Sequence, residues 1–176
     1  MAKHINCSIK QPKETKQAKK QDDLYVIEKT QQLRTKTVAV TPHKVQYDCL
    51  LKLYQDINYD DMQTYISEIK GKLNGYKHQD REKRRNIENI ISYDDAIEKL
   101  ITSKLRCYYC KGNVNILYNN VKQENQWTLE RINNDIGHTN DNCEVCCLRC
   151  NLKRRCMPSY LYKNSKEIGK VVKLCD

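Results

Sequence analysis

Two cysteine pairs, Cys107-Tyr108-Tyr109-Cys110 and Cys147-Leu148-Arg149-Cys150, stand about 40 residues apart. A C-x-x-C turn presents two thiolate sulfurs to one ion, and two such turns complete the tetrahedral sphere of Zn2+. The second pair has rivals: Cys143-x-x-Cys146 has the same spacing, and His138 carries a ligand nitrogen. We take Cys147 and Cys150. Cys143–Cys147 then reads as a short strand, the second knuckle starts a helix through Lys153, Arg154 and Arg155, and Cys143 and Cys146 become free thiols or core residues. Four thiolates close the coordination sphere, so this zinc is structural and any catalysis must use a different metal. An apparent zinc affinity of ~10–16 kcal/mol exceeds the whole stability of a typical small domain.

The composition explains why a metal staple is needed. In 176 residues, 39% are hydrophobic, none is Phe and 31% are charged, which is a lean supply of core. The net charge of +10 points to a polyanionic partner, with nucleic acid the first candidate. Ten Cys in a chain whose first residues are polar and Lys-rich suit a reducing, intracellular setting better than a disulfide framework. No stretch approaches a membrane span.

The elements that must position the knuckles follow from periodicity. Residues 1–23 read as a basic disordered tail, and 24–91 as a mostly helical accessory region. Within 24–41 the runs Leu24–Ile27 and Val38–Val40 suit strands or a helix turn equally. Thr41-Pro42 opens a helix over 43–57 with the stripe Val45, Cys49, Leu53 and Ile57. A second helix begins at Asp60-Asp61, follows Met62, Ile66, Ile69 and Leu73, and stops at Gly75. A third, with Arg81, Lys83, Arg84 and Arg85 in its first half, continues to Ile91. Ser92-Tyr93-Asp94-Asp95 has the form of a capping box opening a helix over about 93–105, which delivers the chain into Cys107. Residues 157–176 form a basic C-terminal tail with a short helix after Pro158. Trp127, the single Trp, reads as core.

Between the knuckles lie Trp127-Thr128-Leu129-Glu130-Arg131-Ile132-Asn133, then Gly137-His138 and Asp141-Asn142, and Asn151 follows Cys150. This combination, over roughly residues 92–156, resembles the HNH family of ββα-metal endonucleases, in its zinc-bearing branch related to recombination endonuclease VII. Similar patterns occur in phage and large-virus proteins. The resemblance implies an α+β fold, with a helical N-terminal region followed by a small zinc-stapled treble-clef/HNH module of two strands, a loop and a helix. It implies a DNA endonuclease that hydrolyses phosphodiesters with Mg2+ or Mn2+. Glu130, where the family usually has Asp, and Asn151 would then be the ligands of the catalytic ion, and Asn142 would brace the loop. DNA is the implied partner, and relatives of the recombination type are dimers.

Arg131 departs from that pattern, because active members carry at this position the His that activates water. Arg stays protonated and offers no lone pair. His138 could stand in as base, or Arg131 could clamp phosphate while the metal alone activates water. Lys153, Arg154 and Arg155 are expected on nucleic-acid phosphates. The alternative is a catalytically inactive module that binds DNA or serves assembly within a viral or transcription-related complex.

Overall fold

The computed structural model describes Arg34, Val38 and residues 41–168. The basic segment 1–23, the runs at 24–27 and 38–40 apart from Val38, and the end of the C-terminal tail lie outside the described residues.

Helix α1 (His43–Tyr54) follows Pro42. Its buried face is Gln46, Leu50 and Leu53, while Val45 and Ile57 are exposed, so the expected stripe is turned and the expected end at 57 comes early. The cause is Gln46. Its Oε1 accepts the backbone N–H of Ile116 and of Leu117 at 2.8 and 3.0 Å, and its Nε2 donates to Thr41 O at 2.9 Å. A buried amide satisfied by backbone behaves as core, and hydrophobic periodicity does not register it.

Helix α2 (Met62–Glu82) runs straight past Gly75, and the expected separate helix over 81–91 does not form. A Cβ at Gly75 would meet nothing within 4 Å, so this glycine lies on the open side. Its cost of about 1 kcal/mol does not end a helix whose other face packs Tyr65, Glu68, Ile69 and Asp80. The helix stops where Arg84 takes φ 53°.

Helix α3 (Tyr93–Thr102) opens on the expected capping box. Asp95 N–H donates to Ser92 Oγ at 3.1 Å and Ser92 N–H to Asp95 Oδ2 at 3.3 Å. It buries Ala96, Ile97 and Leu100, then turns through Lys104 and Leu105, both with positive φ, into Cys107. The expected helix to 105 therefore ends three residues early.

Strands β1 (Trp127–Arg131) and β2 (Cys143–Cys147) pair antiparallel, with Trp127 opposite Cys147 and Arg131 opposite Cys143. Helices α4 (Leu148–Arg154) and α5 (Ser159–Ile168) follow. Helix α5 is the expected helix after Pro158. It docks through a T-shaped contact of Tyr162 with Tyr109, ring centroids 4.9 Å apart. The fold is thus mixed α+β, and one core joins Leu50, Ile69, Leu100, Trp127, Cys146 and Tyr162. Among the described residues no helix is long and apolar enough to cross a membrane.

Candidate functional site

The cysteine tetrad comes first, because it ties the first knuckle to the end of β2 and the start of α4. In the first knuckle Cys107 N–H bonds Gly112 O, Lys111 N–H bonds Cys107 O, and Tyr108 N–H reaches Val145 O on β2 at 2.8 Å. In the second, Cys147 ends β2 and caps α4, its Sγ accepting Cys150 N–H at 3.4 Å. The ligand sulfurs of Cys107, Cys110, Cys147 and Cys150 all lie within 4.8 Å of one another. Zn–S bonds of about 2.3 Å place tetrahedral sulfurs roughly 3.8 Å apart, and Cys110 and Cys147 are 3.9 Å apart. The four fit a metal ion such as zinc. Cys143 stays outside as a core residue, burial pushing its thiol up to about 12. Cys146 lies beside the tetrad, its Sγ 3.6 Å from that of Cys107 and donating to Cys147 O at 3.3 Å.

The expected divalent-ion site has a different occupant. Glu130 is only 4% exposed, and the Arg154 Nε donates to its Oε1. The rest of that guanidinium is also spent, Nη1 on Met157 O at 2.7 Å and Nη2 on Arg131 O and Asn134 Oδ1 at 2.8 and 2.6 Å. The expectation of Arg154 on phosphate is thereby corrected: it is an interior residue one turn beyond Asn151, turned inward by the carboxylate. Burial pushes the Glu130 carboxyl up to about 6, against the pull of Arg154. Asn151 gives its Nδ2 to Thr128 Oγ1 at 3.2 Å. Among the described residues the Cys tetrad is the one group of three or more His, Cys, Asp or Glu placed to hold an ion. Glu130 and Asn151 are a poor donor set for Mg2+ or Mn2+, because the single carboxylate already carries the Arg154 guanidinium on Oε1.

The loop between the strands is built by Asn142 and Asp80. Asn142 accepts Asn133 N–H on Oδ1 at 2.8 Å and donates Nδ2 to Asn133 O and Gly137 O at 2.9 and 3.0 Å, a bracing position. Gly137 passes so close to the end of α2 that a Cβ there would lie 2.7 Å from Asn86 O. Only glycine permits that approach. Asp80 then takes both the backbone N–H of His138 at 2.6 Å and the ring Nδ1 at 2.8 Å on one oxygen. Arg85 holds its other oxygen at 3.3 Å. Sequence reasoning missed Asp80. It sits 58 residues from His138, in a charged run that reads as a solvated helix end, and its only advance sign is the glycine beside that histidine.

The charges of this pair are set. Burial opposes ionisation of Asp80, but the two hydrogen bonds from His138, followed by the charges of His138 and Arg131, hold it below the usual carboxylate range. Burial pushes His138 below its ordinary 6.5 and outweighs the attraction of Asp80, and the Arg131 and Arg85 charges push it the same way. Facing a carboxylate, Nδ1 is the ring nitrogen that carries the proton, and once the ring has lost its second proton Nε2 is left as an acceptor. It is 3% exposed and stacks on Tyr76 of α2 at 4.5 Å.

Arg131 spends Nη1 on Asn134 O and Ile136 O at 2.6 and 3.2 Å. Among the described residues it forms no ion pair with a carboxylate. Burial lowers its pKa and nearby Arg85 lowers it further. A groove of about 780 Å³ joins these groups, lined by Lys72, Arg85, Arg131, His138, Asn151 and Arg155 among others. Lys72 reaches it from α2 with its Nζ on Trp127 O, and burial lowers it to about 7 despite Glu68. Arg155 and Lys153 are exposed, and only Arg155 lines the groove. The structure thus gathers Glu130, Arg131, His138 and Asn151 at one groove. It leaves Asn142 beneath the loop and Lys153 outside.

Comparison with known protein families, with curated proteins and with solved structures finds no match to this chain.

Proposed function

We propose that this chain is a nucleic-acid-binding protein on a zinc-stapled HNH-type frame in which the Arg154 guanidinium stands where a catalytic ion would be. The observation that carries this reading is the pairing of Arg85 and Arg131 in one groove. Arg131 has no carboxylate partner among the described residues, and Arg85 shares Asp80 with His138. Two neighbouring guanidiniums cost repulsion that an anion relieves, and guanidinium matches phosphate bidentately. Arg155 and the flanking, exposed Arg81, Lys83 and Arg84 extend the positive surface, and the net charge of +10 matches it. Such contacts read backbone, not bases. Duplex DNA is the first substrate to try. Binding by anisotropy should weaken steeply and linearly on a log–log salt plot. Binding that ignores salt overturns the proposal.

A metal-dependent endonuclease is the second reading. The loop brace at Asn142 and the presence of Asn151 on the first turn of α4 favour it. The discriminating measurement is supercoiled plasmid with zinc-loaded protein and Mn2+. The buried Glu130–Arg154 pair leads us to expect no nicking, and nicking abolished by Glu130→Gln would reverse the order of the two readings.

A further inference from the structure

His138 is more than the loop anchor needs. Its backbone is already fixed three ways, by Asp80 on its N–H, by Ile91 N–H on its carbonyl at 2.7 Å, and by Asn142 on Gly137 O. The ring is fixed separately, by Asp80 on Nδ1 and by the Tyr76 face. With Nδ1 committed, Nε2 is the acceptor, and it has no hydrogen-bond partner among the described residues. His138 lines the groove that holds Arg85 and Arg131. An oriented imidazole acceptor beside guanidiniums pairs a general base with charge stabilisation at a phosphate.

What such a pair can do depends on the nucleophile. Water attack on a phosphodiester commonly draws on an activating ion, and here the Arg154 guanidinium sits on Glu130, the carboxylate that would hold one. A ribose 2′-hydroxyl is already held beside its own phosphorus, so its effective concentration is very high. We propose that the groove cleaves an RNA strand by transesterification, with His138 as the base and Asp80 as its positioning residue. His138 Nε2 takes the 2′-hydroxyl proton as the 2′ oxygen bonds to phosphorus. The bond from phosphorus to the 5′ oxygen breaks, with Arg85 and Arg131 holding the phosphate charge. The leaving oxygen takes a proton from water, and the imidazolium returns its own to the hydroxide so formed. The products are a 2′,3′-cyclic phosphate and a 5′-hydroxyl, with no net change in protons.

The inference rests on the binding proposal, and the test separates them. The probe is a labelled DNA oligonucleotide carrying one ribonucleotide, with an all-deoxy strand as control, incubated with the full zinc-loaded chain in Mg2+-free buffer. Both strands should bind, and only the first should be cut, at the ribonucleotide, to a cyclic phosphate identified by mass. His138→Gln should cleave about 10²–10⁴-fold more slowly at saturating protein. Asp80→Asn keeps a hydrogen-bonding amide but removes the charge that raises the His138 pKa. The charges of Arg85 and Arg131 and the stacked Tyr76 ring also bear on the imidazole, and those stay in place. The acid limb of the pH–rate profile should therefore move to lower pH in Asp80→Asn, a shift that a purely structural role would not produce. Tight binding of both strands without cleavage overturns the inference and leaves the binding proposal standing, whereas loss of binding removes both. Cleavage to a 5′-phosphate, or equal cleavage by His138→Gln of unchanged melting temperature, also overturns it.

Discussion

Arg154 lies on Glu130 beside the cysteine tetrad's strand pair, and each is 3–4% exposed. A buried pair adds little net stability, but removing one partner strands the other charge. Glu130→Ala should therefore cost about 3–5 kcal/mol in urea unfolding. The double change Glu130→Leu with Arg154→Met should recover most of that loss. A Glu130→Ala protein as stable as its parent would mean that the carboxylate is free, and would return the divalent-ion reading to first place.

The five thiols around the knuckles should not behave alike. Cys107, Cys110, Cys147 and Cys150 form the tetrad, while Cys146 lies beside it at 3.6 Å from Cys107. Cys146→Ser should retain one zinc per chain by elemental analysis. Cys150→Ser should lose it, and chelation of the parent should unfold β1, β2 and α4 together by circular dichroism, since zinc supplies ~10–16 kcal/mol. Zinc loss on Cys146→Ser would place that thiol in the coordination sphere.

These features differ in how far along the chain they are encoded. The knuckles, the capping box at Ser92 and Asp95 and the β2 strand are legible because each is specified within a few residues. Periodicity misphases helix α1 because Gln46 is polar in type but core by its backbone partners, which are 70 residues away. Gly75 reads as a stop because propensity is local, whereas the packing that carries α2 through it is not. At the site, it is the family resemblance that points to Glu130, Arg131 and Asn151, with His138 as the titratable residue of the loop. It does not reveal the inward turn of Arg154, because Lys153, Arg154 and Arg155 are chemically alike in sequence and only the helix phase over Glu130 distinguishes them. Asp80 belongs to an accessory helix that no local pattern connects to the loop.

The depressed His138 pKa makes stability depend on pH. A basic group pushed down on folding binds fewer protons in the native state. Its contribution is present above the unfolded value of 6.5 and is lost as pH falls through the lower folded value. The urea midpoint should drop between pH 7.5 and pH 5.5, and His138→Gln should flatten that part of the curve. Asp80, shifted below its ordinary 3.8, contributes stability above that value and loses it only in stronger acid, so it should not affect this window. Glu130, raised to about 6, acts in the opposite sense over this window and Lys72, lowered to about 7, in the same sense, so the test is the difference between parent and variant. Identical pH curves for the parent and His138→Gln would show that the His138 pKa is not lowered on folding.

The basic residues of the second knuckle and groove should separate into two classes by their response to salt. Arg85 and Arg131 line the groove, Arg154 lines it too but is 3% exposed with its guanidinium spent on Glu130 and backbone, and Lys153 lies outside. Removing one cation from a phosphate should lower the salt slope by about 1. Arg131→Gln should do so with far-ultraviolet dichroism unchanged, whereas Lys153→Gln should leave the slope close to that of the parent. Arg85→Gln should lower the slope and also the melting temperature, because it removes the ion-pair partner of buried Asp80. Arg154→Gln should instead lower the melting temperature, because Glu130 is then buried without its partner. If Arg154→Gln changed the salt slope at unchanged stability, the guanidinium would be reaching phosphate after all, and the assignment of Arg154 to the place of the ion would fail.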